Sequence, residues 1–359
     1  MFVLWTFLVS LTIFVSVVGA FSTHQKKACI KPAIRKEWRA LRAQEKMEWI
    51  RAVNCLSHFP HDPALTPRVN RSVSLIPPVN ASSSYYDDFV YLHMDLNTKI
   101  HFTGEFLPWH RWFLYAFEET LKYRCGYHGV SPYWNWTIDA PNFFESSFWK
   151  DSNPESGLGG WGDPKADYSV PDGGFRKLHL SYPSPHIVRR NFTLRPFDIP
   201  FVVFTDPSLE ANTTFLAPAI EKILEIPDYK EFQKALEAGP HGAVHLIVSA
   251  DLAGNCPQNA SNCIPGPKWA PNDPLFWLHH AMIDKLWYDW QHRNQANAES
   301  FFGGSVEALQ SVESYNKYPT GAPPFLNLSS VMPADGLFPE VAIGDVMDTT
   351  SGILCYVYE

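Results

Sequence analysis

The stretch NDPLFWLHHAMIDKLWYDW at residues 272–290 combines a helix start, a helical stripe and two adjacent histidines. Asn272 or Asp273 is suited to cap the helix, and Pro274 fits its first turn. Leu275, Leu278, Met282, Leu286 and Trp290 then recur at helical spacing. Of the two histidines, His280 is expected to face a metal. Asp284 lies one turn further along the same face, placed to accept a hydrogen bond from a ligating imidazole, whereas His279 points roughly 100° away.

Upstream, GPHGAVHLIV at 239–248 sets His241 and His245 four residues apart. On a helix they share one face, about 6 Å apart along the axis, which is close enough to share an ion. Gly239 and Pro240 stand where a helix start tolerates both. A second histidine block, YLHMDLNTKIHFTGEFLPWHRWFLYAFEETL, fills 91–121. His93 is expected to close a helix that begins near Tyr85, His101 to sit on the connecting segment, and His110 to open a helix running to about Tyr123. Phe106, Leu107 and Pro108 lead into that helix, and Phe113, Leu114, Phe117 and Leu121 form its buried stripe. Arg111, Glu118 and Glu119 read as structural groups rather than ligands.

Two sets of three histidines narrow the chemistry. Neutral imidazole suits copper, zinc, iron and nickel, whereas calcium and magnesium take oxygen ligands. A zinc protease helix carries Glu directly after the first histidine of its His-x3-His pair, and here Gly242 follows His241. Non-haem and di-iron sites need carboxylate ligands at spacings this chain does not show. Two copper ions remain the best match, one on His93, His101 and His110, the other on His241, His245 and His280. Such a pair could supply two electrons to one dioxygen. A single buried histidine is more often a satisfied core residue than a ligand, but six at these spacings are not explained that way. His24, His58, His61, His128, His179, His186 and His292 show no ligand spacing, so ordinary hydrogen bonding is expected of them.

HFTGEFLPWHRWFLYAFEE and NDPLFWLHHAMIDKLW resemble the two copper signatures of the tyrosinase or polyphenol oxidase family of type-3 dicopper proteins, in order and in separation. PYWNWT at 132–137 and the CYVY run at 355–358 resemble further family segments. The likeness spans roughly residues 28–358 and looks closest to the short secreted fungal members. It implies a mainly α fold, with a four-helix bundle around a dicopper centre and long irregular loops. It also implies oxidation of phenols or catechols to ortho-quinones by O2. Glu237, four residues before His241, resembles the acidic residue that orients a water for phenol deprotonation; a plain solvent-facing charge is the equal alternative. Gly242 stands where members that hydroxylate monophenols often carry Asn, which implies that catechol oxidation outruns hydroxylation. Met282 resembles a residue lining the substrate approach, with core packing as its other reading. Some members crosslink a cysteine to the second histidine; here that position is Lys99, so His101 forms no such link. An oxygen carrier with the same six histidines is expected to be a much larger assembly. A tailoring oxidase acting on a tyrosine or phenol of a peptide or small natural product shares the chemistry, and a secreted zinc hydrolase is a third alternative.

Composition fits one large enzyme domain over 21–359, with no low-complexity linker dividing it. Aromatic residues make up 15% of the chain and prolines number 30, which suits a large core with stiffened loops rather than disorder. Residues 141–229 read as loops packed over the bundle. The formal charge of −8 offers no basic footprint for nucleic acid, and no repeat is visible. Residues 1–20 read as a signal peptide ending in Val18, Gly19 and Ala20, although the run is long enough to be retained as a membrane anchor. Lys26, Lys27, Lys31 and Arg35 after it favour an anchor. Seven sequons, at Asn70, Asn80, Asn135, Asn191, Asn212, Asn259 and Asn327, and six cysteines favour the secretory lumen or the outside. Cys256 and Cys263 flank a short loop suited to a disulfide; Cys29, Cys55, Cys125 and Cys355 allow three pairings.

Overall fold

The computed structural model describes residues 29–68, 76–197, 208–264, 269–301 and 325–359. The proposed signal segment, His24 and Asn70 lie outside them. In chain order the α-helices are α1 (Ala43–Leu56), α2 (Tyr85–Ile100), α3 (Phe106–Cys125), α4 (Ala217–Leu224), α5 (Tyr229–Leu236), α6 (Gly242–Val248), α7 (Ala250–Ala253) and α8 (Leu275–Arg293). The strands are short: β1 (Ala33–Arg35), β2 (His179–Leu180), β3 (His186–Ile187) and β4 (Tyr356–Tyr358). β1 pairs with β4 in parallel, Ala33 opposite Tyr356, and β2 pairs with β3 antiparallel. The architecture is mainly helical, as expected. No helix among the described residues is long and apolar enough to cross a membrane.

Local chemistry sets the helix ends. Ser84 starts α2: its hydroxyl accepts from the Asp87 N–H while the Asp87 carboxylate accepts from the Ser84 N–H, two otherwise unsatisfied donors met reciprocally. The helix does not stop at His93. Leu96 and Ile100 continue its buried stripe three and seven residues on, no breaker intervenes, and His101 becomes the C-terminal cap. α3 likewise starts before His110, at Phe106. Pro108 falls in the first turn, where a missing N–H leaves no hydrogen bond unmade. It ends at Gly126, whose φ of 62° lies in the left-handed region that glycine adopts without strain. At α8 the capping group is Asp273, whose Oδ1 accepts from the Leu275 N–H at 3.0 Å.

The core forms where α2, α3 and α8 meet. Phe117 stacks on Trp277 with ring centroids 3.5 Å apart, and Phe89 packs edge-on against both. Among the described residues, the stretch read as loops is largely irregular, with α4 as its longest helix, and it is held by aromatic packing. Trp134 stacks on Phe148 at 4.4 Å and Trp149 meets Trp161 at 4.1 Å. Arg190 ties this stretch to the start of α8, its guanidinium forking onto the buried Asp273 carboxylate at 2.7 and 2.9 Å, and just before the stretch the Trp134 backbone N–H donates to the Leu278 carbonyl of α8.

Disulfides join Cys29 to Cys355, Cys55 to Cys125 and Cys256 to Cys263. The first brings β1 and β4 together over a buried polar network. Asp284 of α8 accepts from Tyr356 and Tyr358 hydroxyls at 2.6 Å each, from Arg111 Nε at 2.5 Å and from Arg35 at 3.3 Å. Arg35 also pairs with Glu118 at 3.0 Å. Burial pushes the Glu118 carboxyl up, but Arg35, Lys122 and the Ser131 N–H outweigh it and hold it at about 2. Glu118 therefore stabilises the fold fully above its ordinary value of 4.5, and loses that contribution as pH falls toward about 2. The shift corresponds to roughly 3 kcal/mol. Urea unfolding of the wild type should weaken more steeply over that acid range than unfolding of Glu118→Gln; parallel curves would remove Glu118 from the account.

Candidate metal centre

The fold brings two histidine groups together. His93 of α2, His101 at its cap and His110 of α3 place one ring nitrogen each within 4.8 Å of one another; so do His241, His245, His279 and His280. All seven are buried or nearly so, His241 being 6% exposed and His110 3%. In the first group the ring centroids are 5.0 to 5.6 Å apart, with His93 Nε2 3.5 Å from His110 Nε2. In the second, His245 Nε2 lies 3.3 Å from His280 Nε2, and His241 lies 4.7 Å from His245 by ring centre. The groups face each other: the His110 and His280 rings are stacked 4.4 Å apart at 12°. Phe276, one turn before His280, packs on His280 at 4.1 Å and on His93 at 5.0 Å, and Phe106 packs on His241 at 4.8 Å. These rings form an apolar wall around the nitrogens.

Backbone carbonyls orient the imidazoles. Nδ1 of His101, His110 and His241 lies 3.2, 2.8 and 3.1 Å from the carbonyls of Asn97, Phe106 and Glu237, each one helical turn earlier. His245 Nδ1 instead meets the Leu252 carbonyl at 2.5 Å. A carbonyl can only accept, so Nδ1 carries the proton in these four rings and Nε2 keeps its lone pair for a metal. Burial drives the His110 ring down to about 3, only partly opposed by the Phe106 carbonyl, and drives His241, His279 and His280 well below the usual histidine range. Neutral, desolvated imidazoles are what a soft or borderline cation requires. His241 Nε2 is buried with no hydrogen-bond partner among the described residues, a lone pair that an ion would satisfy. The donor set therefore fits two metal ions.

Two details differ from the reading of the sequence. Asp284 does not orient His280: its carboxylate is taken up by Arg35, Arg111, Tyr356 and Tyr358, and His280 Nδ1 has no partner among the described residues. The Nε2 contact with His245 and the stacking on His110 are what favour His280. His279 turns toward Trp136 and stands edge-on to His245 at 4.6 Å. Glu237 is not a solvent-facing charge either. It opens a turn of π-helix, Glu237–His241, that joins α5 to α6, and it is 2% exposed. Its Oε1 accepts from the Phe102 N–H at 2.6 Å, tying the residue after His101 to the turn that ends in His241. Met282 is buried in α8, the blander of its two readings. The wall residues Phe106 and Phe276 lie outside the ligand pattern read from the sequence; the one-turn spacing from Phe276 to His280 is the signal that points to one of them.

Comparison with known proteins places these features. The model of the common central domain of tyrosinase matches residues 83–293, which include all seven histidines. The tyrosinase-like protein phomQ1 of Diaporthe leptostromiformis is 30% identical over 95% of this chain and 81% of its own length. The N-acetyl-6-hydroxytryptophan oxidase ivoB of Emericella nidulans is 28% identical over 96% and 97%. Among solved structures, a mutant polyphenol oxidase from Thermothelomyces thermophila shares the fold, with a TM-score of 0.62 and 24% identity over 91% of this chain and 89% of that one. With a helical core, two facing histidine groups and the tyrosinase central domain in one chain, this protein belongs to the tyrosinase family, the type-3 copper oxidoreductases.

Proposed function

We propose that the chain oxidises phenols, catechols foremost, to ortho-quinones with O2 at a dicopper site. One copper would be held by His93, His101 and His110, the other by His241, His245 and His280. The observation that carries this reading is the pair of imidazole clusters stacked face to face through His110 and His280. Copper held there would supply the redox chemistry that couples oxidation of two catechols to two ortho-quinones with reduction of one dioxygen to two waters. The protein's part is positional. Backbone carbonyls keep protons on Nδ1, and Phe106 and Phe276 keep bulk water from the nitrogens.

Glu237 is assigned to accept the substrate proton. It lies between the two histidine groups in the chain path, linked to Phe102 on one side and four residues before His241 on the other. Gly242 brings no side chain to hold a water beside it, so catechol should be oxidised faster than the matching monophenol. Glu237→Gln can still accept from the Phe102 N–H but is no base. It should lower turnover by about 100-fold or more, the usual worth of a positioned acid–base group, while leaving copper content unchanged. An unchanged rate would reassign Glu237 to structure alone.

The natural substrate is assigned as a phenol, or a tyrosyl group, made by a biosynthetic pathway. The name of the N-acetyl-6-hydroxytryptophan oxidase, a hydroxylated aromatic of that kind, supports this assignment. Secretion through the lumen is part of the same proposal, supported by three disulfides. The test is oxygen uptake by copper-loaded protein with a matched monophenol and catechol. Uptake with catechol in excess of monophenol supports the proposal. No uptake with either, at two coppers per chain, would overturn it in favour of an oxygen carrier.

A further inference from the structure

His245 is held differently from its neighbours. His101, His110 and His241 each use the carbonyl one turn back in the helix or turn that carries them, an acceptor that helical geometry supplies automatically. His245 uses the Leu252 carbonyl seven residues ahead, beyond the end of α6. To bring that carbonyl back, the chain passes through two consecutive non-glycine residues at positive φ, Ser249 at 60° and Ala250 at 45°. Ser249, with ψ of −161°, occupies a region essentially reserved for glycine. A strained turn persists only when its surroundings over-determine it.

Asp251, 6% exposed and next to Leu252, supplies that constraint. Its Oδ2 accepts from the Arg189 backbone N–H at 2.6 Å, and its Oδ1 accepts from His186 Nε2 at 2.9 Å. His186 Nδ1 in turn faces the Ser184 carbonyl at 2.7 Å. Both ring nitrogens of His186 thus meet acceptors, the pattern of an imidazolium beside a carboxylate. The Arg189 guanidinium reaches on to Asp167 and to the Ser261 carbonyl, inside the loop closed by Cys256 and Cys263. The Asn255 N–H, bonded to the Ala250 carbonyl at 3.1 Å, closes the turn from its far side.

We infer that Asp251, braced by His186 and Arg189, is a positioning residue for His245: it holds the strained 249–252 turn so that the Leu252 carbonyl fixes the proton and orientation of that imidazole. This rests on the reading of His245 as a copper ligand. Its effect is confined to one metal position, since nothing in this brace touches His93, His101 or His110 in the hydrogen bonds described. A group that bonds a ligating imidazole directly typically carries about 10–100-fold in metal affinity, which sets the upper bound for Asp251, acting through the Leu252 carbonyl.

The experiment is copper titration of the full chain, wild type against Asp251→Ala and His186→Gln, read as copper per chain and by electron paramagnetic resonance. A facing pair of copper(II) ions is spin-coupled and silent; a lone copper(II) is not. Wild type should bind two coppers silently. Asp251→Ala should bind the first as before and the second up to about 10–100-fold more weakly, showing about one spin per chain at the free copper concentration that just fills both wild-type positions. His186→Gln leaves the Arg189 bond to Asp251 in place. It should show a smaller loss on the same copper, and it stands in should Asp251→Ala not fold. Two silent coppers bound with wild-type affinity in the folded variants would overturn this inference alone. Wild-type protein that takes up no copper would overturn the metal reading and this one with it.

Discussion

Replacing His280 with alanine should cut copper content from two ions per chain to one, and should lower oxygen uptake on a catechol by more than about 100-fold. Losing an outer-shell partner alone costs 10–100-fold, and His280 is assigned as a direct ligand. The geometry behind this is its 3.3 Å Nε2 contact with His245 and its stacking on His110, which put it at the junction of the two groups. His279 offers the sharper comparison, because it lies in the same nitrogen cluster and its ring is as deeply buried. It packs toward Trp136 and stacks on His241 at 5.5 Å, so His279→Ala should keep both coppers and lose activity less severely. Elemental analysis of the two variants separates them. If His279→Ala loses a copper and His280→Ala does not, the assignment within this pair is reversed.

Removing Asp284 should destabilise the protein severely. Its carboxylate neutralises Arg35 and Arg111, both buried, and receives two tyrosine hydroxyls. Burial alone would raise this carboxyl, but Arg111 and Arg35 outweigh it and hold it below its ordinary value. Asp284→Ala leaves two guanidinium groups with their shared counter-charge gone, a change that costs about 3–5 kcal/mol where a buried pair is broken. Because the network clamps β4, α3 and α8 at one point, the loss should also loosen the helices that carry His110 and His280. Equilibrium unfolding in urea measures it. A change under about 1 kcal/mol would mean that Glu118 and the Trp287 ring, which lies 3.6 Å from the Arg111 guanidinium, suffice to hold the two arginines.

What could be read in the chain beforehand was local. Four-residue spacing put His241 and His245 on one face, and the proline-led starts at Pro108 and Pro274 located α3 and α8 to within a few residues. The end of α2 is not marked locally: His93 offers no stop signal, and Leu96 and Ile100 continue the stripe beyond it. Long-range partners were not legible. That Asp284 serves two arginines and two tyrosines depends on β4 lying beside β1, and no local pattern reports that pairing. The Cys29–Cys355 and Cys55–Cys125 pairings were equally undetermined by spacing, whereas Cys256–Cys263 followed from its short loop. Carbonyl partners such as Leu252 leave no trace in residue type at all, since every residue offers the same acceptor.

The measurement that bears most directly on the dicopper reading is metal content and spin state of the purified full chain, loaded with copper in the presence of competing zinc. Two coppers per chain with no paramagnetic resonance signal would establish the facing pair that His110 and His280 define. One copper, two uncoupled coppers, or zinc in preference to copper would contradict it.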